Sequence, residues 1–258
     1  MDKIVIITGA TSGIGKSLAL RFAANKFHTI AIGRDSLRIT QLRDLEMPYL
    51  IPIQCDITCP DQLSFITDKL KEHSSLELSC LVHNATFLAP IKPLESATKD
   101  ELNSQMNVNY IGPFLLTNLL RPYLVQQSRI LFISTGASRT AITNLVPHCA
   151  AKAAQAILAE GFKNELKDKN IEVGLVEPGI VNTPSQEKIR SMSTSQLPFS
   201  EVARTLYENG KLISSESCAA MLYSLLTGSE NISINWPWNL QNATHHELLI
   251  GSEKHETK

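Results

Sequence analysis

Thr8-Gly9-Ala10-Thr11-Ser12-Gly13-Ile14-Gly15 follows directly on the apolar run Ile4-Val5-Ile6-Ile7 and leads into a stretch with apolar residues at Leu18 and Phe22. An unbroken apolar run reads as a strand buried on both faces, and recurrence at helical spacing reads as an amphipathic helix. Between the two, Gly9 permits a tight turn, Gly13 lets the backbone come close to another group, and Gly15 allows the helix to pack tightly on the strand. Three spaced glycines alone are a weak signal; lodged between a strand and a helix they are a strong one. Thr11, Ser12 and Ile14 complete a loop whose free N–H groups, at the positive end of the helix dipole, suit a pyrophosphate.

Outward from this unit the alternation continues. Further strands are predicted at His28–Gly33, Tyr49–Cys55, Leu78–Asn84, Arg129–Ser134 and Ile171–Glu177, with a short last one at Ile232–Ile234. Helices are predicted at Gly15–Asn25, Asp61–His73, Lys99–Val125, Pro147–Lys167 and Glu216–Leu226. Strands that alternate with helices over 258 residues imply an α/β, doubly wound parallel sheet between two helical layers, one domain over residues 1–250. Ligands of such sheets bind at the C-terminal strand ends. Residues 184–214, rich in Ser and Thr and interrupted by Pro184 and Pro198, break the alternation. They read as a substrate loop with weak helices, the other reading being a solvated surface loop. The polar stretch 251–258 is expected to be a disordered tail.

Composition narrows the partner. The chain is 43% hydrophobic with a formal net charge of −1, and its acids and bases are scattered. No basic face for nucleic acid or for an anionic membrane is evident, so a small-molecule partner is expected. The N-terminus lacks the features of a secretory signal, and no apolar run reaches eighteen residues, which points to a cytoplasmic protein. The five cysteines are unevenly spaced, Cys55 and Cys59 do not form a C-x-x-C pair, and His245-His246 has no evident third ligand; no metal site is expected.

About twenty residues beyond the glycine loop, the second strand ends in Ile32-Gly33-Arg34-Asp35. An NAD site places an acid at this point to hold the ribose 2′-hydroxyl. Here Gly33 takes that place and Arg34 follows, and a guanidinium suits a 2′-phosphate. NADP(H) is therefore expected in preference to NAD(H). Asp35 leaves two alternatives open, pairing with Arg34 or standing in for the missing acid.

These motifs resemble the short-chain dehydrogenase/reductase family, whose dinucleotide-binding domain is of the Rossmann type. Asp56 resembles its adenine-contacting aspartate. His83-Asn84-Ala85-Thr86 resembles its Asn-Asn-Ala-Gly element, with two positions changed. Asn109, in Val108-Asn109-Tyr110-Ile111-Gly112, matches the asparagine of its catalytic tetrad, and Glu177-Pro178-Gly179-Ile180-Val181-Asn182-Thr183 is similar to the segment lying along the nicotinamide. The resemblance thus implies cofactor contacts from Asn84, Pro178, Gly179, Val181 and Thr183, and from Lys152 through the ribose.

The family's tyrosine stands four residues before its lysine, on one helical face. Pro147-His148-Cys149-Ala150-Ala151-Lys152 keeps the lysine but carries His148 in the tyrosine position; Thr135 stands where the serine is expected, with Ser134 as the alternative. A free imidazolium titrates near 6.5 and phenol near 10, so the two are not equivalent acids. Lys152 nearby disfavours the cationic ring further, and imidazole is shorter than phenol. Three readings follow. In an active reductase His148 is the acid, directly or through one water, with Thr135 and Asn109 in support, and turnover rises as pH falls. In a cofactor-binding sensor or scaffold there is little turnover. In the third, His148 is purely structural.

Phe87–Leu94, Thr183–Arg190 and Leu206–Ser214 are similar to the sepiapterin reductase and benzil reductase branch. That likeness implies reduction of a small carbonyl or dicarbonyl compound. Asn182-Thr183-Pro184 lacks the acid of the branch's Asp-Thr-Asp, which favours an uncharged substrate over a pterin. The likeness also implies a homo-dimer or homo-tetramer paired through the helix that carries Glu160 and Glu165.

Overall fold

The computed structural model describes residues 3–228 and 238–240. Along the chain run β1 (Lys3–Thr8), α1 (Gly13–Ala24), β2 (His28–Gly33), α2 (Ser36–Arg43), β3 (Leu50–Gln54), α3 (Pro60–Glu72), β4 (Glu77–His83), α4 (Lys99–Met106) and α5 (Gly112–Leu120). After them come β5 (Leu124–Ile133), α6 (Val146–Leu166), β6 (Glu172–Glu177), β7 (Val181–Asn182), α7 (Pro184–Arg190), α8 (Phe199–Glu208), β8 (Ile213–Ser214), α9 (Ser215–Thr227) and β9 (Trp238–Asn239). One sheet of order β3-β2-β1-β4-β5-β6-β9 joins its neighbours in parallel. The order reverses between β1 and β4, which sets the crevice there.

The strands' alternation feeds two cores. Val5, Ile7, Ala31 and Leu131 point to the layer of α1 and α9, where Leu18, Phe22, Leu222 and Leu225 meet them. Ile4, Ile6, Ile30, Ile32, Ile130 and Phe132 point the other way, onto Ile66, Leu116 and Phe162 of α3, α5 and α6. Successive side chains of a strand face opposite sides, so an unbroken Ile/Val run supplies both layers at once.

Two expectations change. The single helix over Lys99–Val125 is instead α4, a π-turn at Asn107–Ile111, α5 and a 3-10 turn at Arg121–Tyr123. Asn109 causes the widening: its Nδ2 donates to the Gln105 carbonyl (2.9 Å), one of the oxygens the helix ladder would use, and to the Phe87 carbonyl (3.0 Å). Likewise β5 begins at Leu124 and not at Arg129. Leu124 pairs with Leu78 while Arg129 pairs with Cys80, and the surplus residues loop out around Gln127, whose φ is 67°.

The short α2 was not expected. Only Ile39 and Leu42 of it are buried, and it starts because Asp35 caps Arg38 N–H at 3.0 Å. The strand expected at Ile232–Ile234, the histidine pair and the tail 251–258 lie outside the described residues.

Residues 184–214 fold into α7 and α8, and β8 pairs with β7. Leu197 is buried, and Ile189, Met192 and Phe199 pack with it on Ile91, Ala137, Leu145 and Cys149. The segment buries this face against the body of the fold while Val202 and Tyr207 stay exposed.

Candidate active site

Residues that follow the strands at their C-terminal ends enclose a cavity of about 890 Å³. Gly9, Gly33, Asp56, Asn84, Ser134 and Pro178 contribute from β1 to β6, and α6 adds His148 and Lys152. Of the site residues singled out from the sequence, Gly9, Thr11, Ser12, Gly13, Ile14, Arg34, Asp56, Asn84, Thr135, His148, Lys152, Pro178, Gly179, Val181 and Thr183 line it. Gly15 and Asn109 do not.

Both exceptions have a structural reason. A Cβ on Gly15 would stand 2.4 Å from the Gly9 carbonyl oxygen and 2.3 Å from Asn84 Nδ2, so Gly15 serves close packing behind the loop. Asn109 is fully buried: besides the two bonds at the π-turn, its Oδ1 accepts from Thr86 Oγ1 (2.8 Å) and Phe87 N–H (3.2 Å). Its side chain is spent on holding the 86–89 segment.

At the end of the cavity near β1 and β2, the loop has the open N–H groups that the phosphates of a dinucleotide would need. Gly9 and Gly13 are in the left-handed region, at φ 64° and 51°. The first turn of α1 has no acidic residue and no side-chain cap, which leaves its N–H groups for an anion. Asn84 Nδ2 clamps the loop by donating to the Thr8 and Gly9 carbonyls, each at 3.1 Å. A Cβ on Gly33 would stand 2.3 Å from Thr11 Cγ2, so a side chain there would require Thr11 to turn away. Asp35 pairs with Arg38, at 3.8 Å from its Nε, and not with Arg34. Arg34 and Arg38 both line this end of the cavity.

The other end is a network of side chains. Lys152 is buried and donates to the Ile133 carbonyl and to Gln155 Oε1, both at 3.0 Å. Burial pulls its pKa down to about 8. One helical turn away, burial and then the charge of Lys152 push His148 down to about 4, with the Phe87 carbonyl acting weakly in the other direction. Near neutral pH the ring carries no charge. Thr135 Oγ1 accepts from Ala137 N–H at 3.3 Å, whereas Ser134 Oγ is buried without a partner among the described residues.

Several functional candidates had no signal in the sequence. Gln105 is buried against His148 Nδ1 at 2.9 Å. Arg139, half-exposed, forms a two-pronged ion pair with the buried Glu177 carboxylate on the cavity wall. Leu88, Ile142, Leu145, Ile189 and Phe199 give the chamber beside His148 an apolar lining. No group of three or more potential metal-ligating side chains occurs among the described residues.

A doubly wound sheet with an anion-ready glycine loop at its switch point, and a Lys and an imidazole facing the same cavity, has the architecture of nucleotide-linked oxidoreductases. Residues 3–194 match the short chain dehydrogenase family, and the chain belongs to it. Two curated relatives are benzil reductases forming (S)-benzoin. The one from Bacillus cereus is 27% identical over 240 residues, 88% of this chain and 95% of its own. That of Bacillus subtilis (strain 168) is 28% identical, with 89% and 96% covered. Among solved structures, the KRED1-Pglu enzyme has the same fold, with a TM-score of 0.83 at 22% identity over 91% of this chain and 99% of that one. So does a 4-hydroxyisoleucine dehydrogenase complexed with NADH, with a TM-score of 0.77 at 19% identity over 92% and 96%. No helix among the described residues is long and apolar enough to cross a membrane.

Proposed function

We propose that this chain is an NADP(H)-dependent reductase of small, uncharged carbonyl or dicarbonyl compounds, of the sepiapterin reductase and benzil reductase branch, with His148 in the tyrosine position. The carrying observation is one continuous cavity. It has Arg34 and Arg38 at one end, Ser134, Thr135, His148 and Lys152 at the other, and an apolar chamber beside them.

The reading gives each residue a task. The Gly9–Gly13 loop and the α1 N-terminus hold the pyrophosphate, Asp56 the adenine, and Arg34 with Arg38 the 2′-phosphate. Asn84 fixes the loop, Lys152 reaches the nicotinamide ribose, and Pro178, Gly179, Val181 and Thr183 flank the nicotinamide. When bound, the cofactor supplies hydride. Ser134 or Thr135 holds the carbonyl oxygen by a hydroxyl donor, and neutral His148 offers a second hydrogen bond to it. Residues 184–214 act as the substrate loop, closing an apolar roof over the chamber. Such a lining favours aromatic or aliphatic diketones, in line with the printed activity of the Bacillus relatives.

Reduced cysteines suit a cytoplasmic enzyme. The exposed apolar residues Phe114 and Ile157 on α5 and α6 suit a homo-dimer or homo-tetramer joined through these helices.

The test is direct. NADPH and NADH are titrated by fluorescence, and benzil or another 1,2-dicarbonyl is then added to the tighter complex. Tighter NADPH binding followed by NADPH oxidation is expected. Binding without oxidation by any dicarbonyl would overturn the enzyme, and equal or absent binding of both nucleotides would overturn the cofactor assignment.

A further inference from the structure

The cavity wall behind His148 holds a side chain that the proposed reaction has not yet used. Gln105, on the last turn of α4, is completely buried. Its Oε1 lies 2.9 Å from Ala89 N, its Nε2 lies 2.6 Å from the Phe87 carbonyl oxygen, and the same Nε2 lies 2.9 Å from His148 Nδ1.

These contacts settle which end of the amide is which. A backbone N–H can only donate, so the atom facing Ala89 N must be the acceptor oxygen; a carbonyl can only accept, so the atom facing Phe87 O must be the NH2 group. Turning the amide over would set N–H against N–H and oxygen against oxygen. The NH2 group therefore spends one hydrogen on Phe87 O and directs the other at His148 Nδ1. An atom that receives a hydrogen bond there cannot carry a proton of its own. The competing arrangement, Nδ1–H donating to the Phe87 carbonyl, is the contact that favours the charged ring, and it meets an oxygen that already accepts from Gln105 and from Asn109 Nδ2.

We propose that Gln105 is a positioning residue that fixes His148 in its neutral Nε2–H tautomer and so turns the ring's remaining donor toward the cavity. In a neutral imidazole one nitrogen donates and the other accepts, and the partner of the buried nitrogen decides which. Without Gln105 the ring is free to present an acceptor to the substrate oxygen, which attracts nothing there. With it, His148 presents a hydrogen-bond donor, the one property it shares with the phenol of its relatives. It is held as a hydrogen-bond donor, because an imidazolium would need Nδ1–H to face the Gln105 NH2 group; the alkoxide left by hydride transfer takes its proton from solvent water entering the open cavity.

The catalytic consequence rests on the carbonyl-reductase reading; the tautomer itself is a property of the free protein and is read separately. Full-length protein labelled with 15N-histidine is examined by long-range proton–nitrogen NMR near neutral pH, with the His148 signals assigned by their loss in His148→Gln. A protonated Nε2 and an unprotonated Nδ1 are expected in the wild type. Gln105→Glu, which puts an acceptor in place of the donor, is expected to reverse the two nitrogens. It should also lower kcat for a dicarbonyl about 100-fold, the size expected when an oriented donor to a developing oxyanion is lost, while NADPH affinity stays unchanged. A protonated Nδ1, or a mixture of tautomers, in the wild type overturns the proposal, and so does a Gln105→Glu protein whose His148 keeps the wild-type pattern. A wild type that reduces no carbonyl would remove the reaction reading but leave the nitrogen spectra to decide the tautomer.

Discussion

The two ends of the cavity are built by different means. The adenosine end is made of backbone: glycines that admit left-handed φ values, an uncapped helix start and an asparagine clamped across two carbonyls. The chemical end is made of side chains from distant parts of the chain, with Gln105 of α4 against His148 of α6 and Arg139 against Glu177. A backbone cradle depends on few residue types and tolerates little substitution. A side-chain network can be rebuilt one member at a time, and His148 is the member proposed to stand in the tyrosine position.

The sharpest way to break this contrast is to substitute one residue at each end. Gly15→Ala pushes a methyl group to within 2.4 Å of the Gly9 carbonyl, which is backbone and cannot swing aside. We expect NADPH affinity to fall more than about 100-fold, with stability lowered by about 1–3 kcal/mol as for other overpacked sites. His148→Ala should leave NADPH affinity in place and reduce kcat about 100-fold. Fluorescence titration and steady-state kinetics on the two variants check this. A Gly15→Ala protein that still binds, or a His148→Ala protein that no longer does, would erase the division between the ends.

The same contrast explains what could be read from the chain without coordinates. The Ile4–Ile7 run and the three glycines carry their meaning within a dozen residues, so β1, the loop and α1 were legible, as was the parallel sheet. The end of β2 was half legible. Arg34 was visible, but the partner of Asp35 was not, because pairing with Arg38 depends on α2, a helix whose buried face is only Ile39 and Leu42. Between Lys99 and Val125 the apolar spacing runs on without a gap. Periodicity cannot register that Asn109 bonds to the Phe87 carbonyl, 22 residues away, and opens a π-turn. Gln105 was invisible for the same reason, its partner lying 43 residues further on.

A second prediction sharpens the adenosine end. In the NADP(H) reading Gly33 offers no acid and Asp35 lies beside Arg38, so Arg34, whose guanidinium sits 6.0 Å from the Phe87 ring centroid, is the group that would meet a 2′-phosphate. Arg34→Ala should weaken NADPH about 50-fold, the size of a lost charge-assisted contact, and leave NADH unchanged. Equal loss for both nucleotides would show that Arg34 holds the loop and does not read the phosphate.

The smallest expected effect compares the two buried histidines. His83 closes β4 directly before Asn84; its ring stacks at 4.5 Å on Phe132, and Nε2 lies 2.8 Å from Thr117 Oγ1. Burial alone lowers its pKa to about 3, against about 4 for His148. Well above pH 6.5 both rings are neutral in the folded and the unfolded chain, and neither contributes to pH dependence. Below it the unfolded chain binds protons that the folded chain refuses, so stability declines as pH falls, toward pH 3 for His83 and pH 4 for His148. Each costs about 1 kcal/mol over the first unit below pH 6.5, where the unfolded imidazole goes from half to mostly protonated. His83→Asn removes the ring and should remove one such share from the slope of urea-unfolding free energy between pH 6.5 and 5.5, whatever its effect on stability at neutral pH. It should leave the pH profile of kcat unaltered, since His83 touches packing and not the cavity. An unchanged unfolding slope would mean that the His83 ring takes up its proton without unfolding, and that the floor beneath the nucleotide is looser than its burial implies.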